Sequence, residues 1–373
     1  MLNYQEFVIG SGGDYPDIDT FNAAFNNTFI PFPETTVVVC LVNEVHAWGQ
    51  HITAPTNVRH LHVTVAGDNW HKGSKSIGCR IRADAHSSEY AALEISCISR
   101  SHTQFVTVEK LVIDANQQIG SSISLHGLNI TSSINSSAYM QTAVDKCIFT
   151  AGGDVDCRGF LGIVANNRPI CITNCLVYDA TLTGTVGSQN VIAIGLDEYI
   201  WIHNNTLHNI GWANKSANTT EGIGLTNPHT LDYTGIIQGN IVTEIGDGET
   251  ATCFNANAQA HPQFLLNVAD DGTGNTSSTA AAEFVDPANG NFNLKAGAQA
   301  QALLPNRVQP ASGWSDRNYK FLSFLEPWRD ITGQIRAAGN WDAGCFNNLS
   351  GYASEPSTPG GGGGSVVTHP IRG

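Results

Sequence analysis

Asp154 and Asp156, in the stretch GGDVDCRGF at 152–160, are carboxylates two residues apart, with Arg158 two residues further on. On an extended backbone, residues at i and i+2 project to the same side. Two carboxyl groups on one side are the minimum equipment for glycoside hydrolysis, and a guanidinium beside them would lower a pKa or grip a sugar carboxylate. These three residues are the expected catalytic set if the chain is an enzyme. The competing and favoured reading is a solvated turn with a surface ion pair. Asp197 and Glu198 are adjacent, so on a strand they point to opposite faces and make a weaker pair. Histidines cluster early, at His46, His51, His60, His62 and His71, and His60 and His62 would share a strand face. No cysteine or carboxylate stands at metal-ligand spacing beside them, so neither a metal nor a cofactor is expected.

The elements that must position such groups are visible as a repeat. VEKLVIDA, VDKCIFTA, ITNCLVYDA, IHNNTLHN and IQGNIVTE align into columns. Val108, Val144, Ile172, Ile202 and Ile237 form the first, and Leu111, Cys147, Cys175, Asn205 and Asn240 the second. Ile113, Phe149, Val177, Leu207 and Val242 form a third. A separate strand family places Leu128, Ile163, Ile194 and Ile223 in one column. The apolar residues alternate at period two and are separated by Gly, Asn, Ser and Thr clusters, which are strand and turn signals. Short strands recurring roughly every 30 residues describe a solenoid whose equivalent residues stack coil upon coil. Cys147, Cys175, Asn205 and Asn240 then form an inward ladder at a turn, with cysteine acting as a small hydrophobe.

Two outward columns follow from the same alignment. Asp114, Thr150, Tyr178, His208 and Thr243 should face solvent, and a row of carboxylate, phenol and imidazole groups is a track on which a polysaccharide can lie. Asp114, Tyr178 and His208 are therefore the candidate glycan-binding residues, against the plainer reading of polar strand decoration. Val112, Ile148, Leu176, Thr206 and Ile241 form an apolar column on what should be a wet face, so either the same chain or a neighbouring subunit should cover it.

Composition narrows the class. Of 373 residues, 41% are hydrophobic and 13% charged, and the formal charge is −14. That balance argues against nucleic acid and anionic membranes as partners. The nine cysteines are an odd number with no CxxC pair, which points to reduced, buried thiols. MLNYQEFVIG has no basic or apolar signal-like region, and no stretch reaches membrane-spanning length. A virion protein released by lysis fits that start better than an exported enzyme.

IGSGGDYPDIDTFNAAF at 9–25 resembles the opening of pectin-lyase-like right-handed parallel β-helix proteins, where a Gly-Asp-Tyr turn leads into a capping helix. Ile18, Phe21, Ala24 and Phe25 have helical spacing, with Asp17 as N-cap. FVDPANGNFNLKAGAQAQ at 284–301 and DITGQIRAAGNWDAGCFN at 330–347 look like the segments that finish and close the helix in many bacterial and phage members. The resemblance implies an all-β, single-stranded right-handed parallel β-helix, a scaffold that hosts lyases, hydrolases, tailspikes and structural proteins alike. The hydrolase motifs of the family are not matched: Asp270-Asp271 sits in a Gly/Ser/Thr loop without companion motifs, and GGDVDCRGF is a distant echo of an esterase segment.

The expected organisation is an N-terminal cap at 1–35, the β-helix at 36–350 and a Pro/Gly-rich linker with a C-terminal arm at 351–373. The run Gly360–Gly364 reads as a flexible linker, either native or engineered, ahead of SVVTHPIRG, whose Val366, Val367 and Ile371 are the candidate partner-binding residues. The leading functional expectation is a virion-type structural or adhesion protein, such as a tailspike, fibre or capsid decoration subunit. It would associate with itself (as a trimer, for example) or with other virion subunits, and bind a surface polysaccharide. A polysaccharide lyase or glycoside hydrolase is the alternative.

Overall fold

The structure is a computed structural model. It describes residues 4–26, 35–47, 50–53, 58–68, 70–82, 91–97, 105–114, 124–132, 141–150, 159–165, 170–182, 188–194, 200–212, 219–225, 236–246, 250–304, 329–336 and 341–346. Three parallel sheets of nine, nine and seven strands form the walls of a right-handed parallel β-helix. One coil runs from Ile170–Thr173 in the first sheet through Leu176–Leu182 in the second to Ser188–Ile194 in the third. Its neighbours in every sheet are the equivalent strands of the coils before and after.

The repeat columns are the register of these sheets. Val108, Val144, Ile172, Ile202 and Ile237 pair in sequence along the first sheet, all with side chains in the core. Ile113, Phe149, Val177, Leu207 and Val242 do the same along the second. The third sheet corrects one assignment: Ile163 pairs with Ile192, not Ile194, and Ile192 pairs with Ile223. A slip of two residues keeps the same face inward, so period-two alternation cannot distinguish the alternatives.

The corner between the first and second sheets shows why the ladder needs its residue types. Lys110, Lys146, Asn174, Asn204 and Gly239 precede the ladder residues and have φ between 52° and 67°. Asparagine and glycine take this left-handed conformation most readily, and it carries the chain around the corner in two residues. The next residue points inward. Asn205 donates through Nδ2 to the Ile172 carbonyl at 2.9 Å and to Asn240 Oδ1 at 3.0 Å. Asn240 in turn donates to Ile202 O at 3.1 Å and to Asn267 Oδ1 at 2.9 Å. Asn267, outside the aligned columns, thus continues the rail. Cys175 ends it on the other side, its N–H donating to Asn205 Oδ1 at 2.9 Å and its thiol to Thr173 O at 3.3 Å. The cysteine fills a buried slot at the end of an amide ladder.

At the N-terminus, Tyr4–Ile9 is already a strand of the first sheet, and helix α1 (Ile18–Asn26) covers the first coil. Asp17 Oδ1 accepts the Thr20 N–H at 2.7 Å, the N-cap geometry expected from the sequence. Ile18 and Phe21 enter the core, and Phe7, Tyr15 and Phe21 form an edge-packed aromatic group. Among the described residues no helix is long and apolar enough to cross a membrane.

The C-terminal segments depart from expectation. They do not complete the last coil. Phe284–Asp286 and Asn291–Leu294 form an antiparallel hairpin that lies back across the outer face of the second sheet. The later segment joins it there through Ala343 N–H to Ala300 O, the Leu304–Trp341 bridge, and Cys345 N–H to Thr206 Oγ1 at 3.0 Å. Glu283 is fully buried and accepts the Gln299 and Ala300 N–H groups, fixing the chain after the hairpin. The apolar column of Val112, Ile148, Leu176 and Ile241 is sealed by Phe284, Phe292, Ile331, Cys345 and Phe346, so its cover comes from the same chain.

Candidate functional site

The outward column of the second sheet is placed as aligned, with Asp114, Thr150, Tyr178, His208 and Thr243 on the outer face, but it is not a solvent-facing track. Asp114, Tyr178 and His208 are 5%, 3% and 3% exposed. Tyr178 has Phe292 against its ring at 5.0 Å and the Lys75 ammonium 4.5 Å from its ring centroid. His208 packs edge-on to Phe292 and Phe284, and its Nδ1 is 3.1 Å from Thr243 Oγ1. Hydrophobic rings of the cover occupy the space in which a sugar would stack. Burial therefore overturns the premise of the proposed track.

Around Asp114 the surface is polar and half exposed. Its Oδ2 lies 3.6 Å from Arg80 Nη1 and 3.5 Å from Arg82 Nε. Burial pushes the Asp114 pKa up, and the two guanidinium groups offset part of that push. Lys75 Nζ pairs with Asp179 at 2.7 Å, and Asn209 Nδ2 donates to the other Asp179 oxygen. Every carboxylate in this group is committed to a cation, which describes a structural ion network at the rim of the cover.

A second polar chain is buried. Arg336 is 3% exposed and reaches Asn174 Oδ1 at 2.8 Å and the carbonyls of Gly344 and Asp342. Asn174 donates to Asp145 Oδ1 at 3.0 Å, and Asp145 is also bonded by Lys146 and Thr173. This chain pins the cover to the ladder corner. A lone arginine among small residues in GQIRAAGNWDAG was the available signal, and its partner lies 162 residues away.

The early histidines are also structural. His60 and His62 stack at 5.7 Å on the outer face of the first sheet, His60 Nε2 hydrogen-bonding with Thr107 Oγ1 at 3.0 Å and His62 Nε2 lying 3.2 Å from Glu109 Oε1. His71 is fully buried, with Nε2 2.6 Å from the Lys146 carbonyl and Nδ1 accepting the Gly73 N–H. Ligand atoms of Cys253, Asp270 and Asp271 lie within 4.8 Å of one another. Their carboxylates already accept the Glu244, Cys253 and Thr273 N–H groups, and burial pushes the Cys253 thiol pKa up. That is a turn lock. Asp154, Asp156, Arg158, Val366, Val367 and Ile371 lie outside the described residues.

The outer face of the third sheet went unnoticed in the sequence. Glu94 and Asn129 alternate with the buried Leu93, Ile95, Leu128 and Ile130, sit side by side in register, and are both partly exposed. Val164, Ala193 and Gly224 continue the register positions. At the far end Glu221 Oε2 accepts from Asn255 Nδ2 at 3.0 Å, and Asn257 donates to Leu225 O. Polar groups thus flank a stretch of small residues.

No protein-family model matches the chain, and no curated protein matches it. It is similar to two crystal structures of the pectin methylesterase of Aspergillus niger, one deglycosylated and one penultimately deglycosylated. Identities are 11% and 12%, coverage is 72% and 78% of this chain and 84% and 90% of theirs, and both TM-scores are 0.37. Likeness at that level transfers no activity.

Proposed function

We propose that the protein is an adhesion-type β-helix that holds a linear glycan along the outer face of its third sheet. One observation carries the reading: this wall keeps partly exposed outward polar groups, Glu94 and Asn129, while Asp114, Tyr178 and His208 on the second are buried. From Phe105 onward the first and second sheets join through two-residue corners, so the long connections border the third sheet on both sides. Such connections are where a rigid scaffold carries its binding groups. Rungs about 4.8 Å apart also suit a polymer, whose units can repeat one set of contacts. The setting we propose is a virion-type particle, as a tailspike, fibre or decoration subunit. Its support is that the molecule covers its own apolar stripe and leaves a polar face to present.

A lyase or hydrolase is the second reading, because Asp154, Asp156 and Arg158 immediately precede the third-sheet strand Gly159–Ala165 and would act at the rim of the same face. The deciding experiment measures binding to uronic-acid and neutral polysaccharides for wild type and Asn129→Trp, with product release followed in parallel. The expected result is binding by wild type, at least about tenfold weaker in the variant at unchanged melting temperature. Unchanged binding by the variant, or no binding by wild type, would sink the proposal. Turnover that is lost in Asp156→Asn would replace it with the enzyme reading.

A further inference from the structure

Each sheet begins at an N-terminal edge, and two of the three edges are occupied. In the first sheet, the outermost strand Tyr4–Ile9 is bridged by Tyr15 and donates the Val8 N–H to Asp14. In the third, Gln50–Thr53 lies against α1. The outermost strand of the second sheet is Val45–Ala47, which among the described residues pairs only with Arg80–Arg82, on its inner side. Val45 is 56% exposed, and nearby Ile77 is 54% exposed. Val45 heads the outward column that runs through Arg80 to Val112, Ile148 and Leu176. The cover seals that column from Val112 onward and leaves its first member bare. A bare apolar edge is a template for another strand.

We propose that this edge is the docking site of the C-terminal peptide of the same chain, with Val366–Thr368 added as a strand outside Val45–Ala47. The two valines are β-branched and suit a strand, and Pro370 stops pairing two residues later, so the addition is as short as the edge it meets. Val366 beside Val45 would extend the apolar column by one rung. Reach decides which copy supplies the peptide. Phe346 packs against Gly73, in a loop tied by His71 to Lys146. The strand after Lys146 begins at Ile148, three rungs from Val45, or about 14 Å along the axis. Residues 347–364 are rich in Gly, Ser, Asn and Pro, and about 18 residues of such composition span about 23 Å r.m.s.. The peptide therefore reaches the edge of its own chain, at an effective concentration in the millimolar range that a second copy must outcompete.

The test uses the full-length chain carrying Val45→Cys and Val366→Cys under mild oxidation. The expected result is a cross-link between positions 45 and 366 within one chain, at monomer mass. It should form faster than in a Val285→Cys/Val366→Cys control, whose first site is comparably exposed on the cover. A cross-link found only between chains would give the edge to a second copy, and a rate no faster than the control would leave it without this occupant; either outcome overturns the proposal. Independently, amide exchange over 45–47 should be about tenfold slower in wild type than in full-length Val366→Asp/Val367→Asp. Equal exchange would also overturn it.

Discussion

The second and third sheets grow from the same core by the same period-two strands, yet their outer faces differ. On the second, Val112, Ile148, Leu176 and Ile241 are outward, apolar and buried beneath the C-terminal cover. On the third, Glu94 and Asn129 are outward, polar and partly exposed. The polar groups that looked functional in sequence, Asp114, Tyr178 and His208, belong to the sealed wall, where they finish the packing of the cover. In a solenoid, outward position alone therefore does not mark a binding residue. What a neighbouring segment lays over the column decides it.

The largest way to break this contrast is to remove the cover's anchor. Phe292 is fully buried against Tyr178, His208, Phe284 and Phe346. Phe292→Ala should cost about 3–5 kcal/mol, through lost transfer energy and the cavity left behind. Urea unfolding followed by tryptophan fluorescence would measure it. A loss below about 1 kcal/mol would mean that the cover is a loose flap, and would return the Asp114–Tyr178–His208 column to the list of accessible surfaces.

The core of this architecture was legible before its surface. The Val144–Ile172–Ile202 and Phe149–Val177–Leu207 columns match the observed register because every coil repeats them at a corner marked by Asn or Cys. Ile192 and Ile194 could not be told apart because both satisfy the alternation. The cover was legible only as a need: the apolar Val112–Ile148–Leu176 column demanded one. Its identity rests on contacts such as Phe292 to Tyr178 and Arg336 to Asn174, which join residues far apart in the chain and leave no local pattern. Glu94 and Asn129 were overlooked for the opposite reason. A single polar residue between apolar neighbours is the ordinary look of any strand, and its exposure gains meaning only once the second wall is known to be covered.

Acid should sharpen the contrast by a smaller amount. Burial holds the His71 pKa down at about 4, in a site where Nδ1 accepts the Gly73 N–H and has no room for a proton. The folded pKa lies below the unfolded value of about 6.5. The stability tied to neutral His71 is thus fully present above pH ~6.5 and lost progressively as pH falls toward ~4. This one group contributes up to about 3 kcal/mol over that window. Melting temperature against pH should fall more steeply for wild type than for His71→Gln between these limits. Parallel curves would mean that the loop around Gly73, on which Phe346 rests, is already open to solvent.

The smallest expected effect bears on the third sheet. Asn129 is partly exposed between Leu128 and Ile130, whose side chains hold the strand in the core without its help. Among the hydrogen bonds described, those of the ladder lie at the opposite corner and those of the cover on another wall, so truncating Asn129 breaks neither. Asn129→Ala should therefore change stability by no more than about 0.5 kcal/mol, within the ordinary range for surface substitutions. Side by side with Phe292→Ala, it separates two outer faces of one solenoid: one whose cover the fold depends on, and one that the fold leaves available. If Asn129→Ala instead costs more than about 2 kcal/mol, the third wall is as structural as the second. The distinction on which the glycan-binding face depends would then disappear.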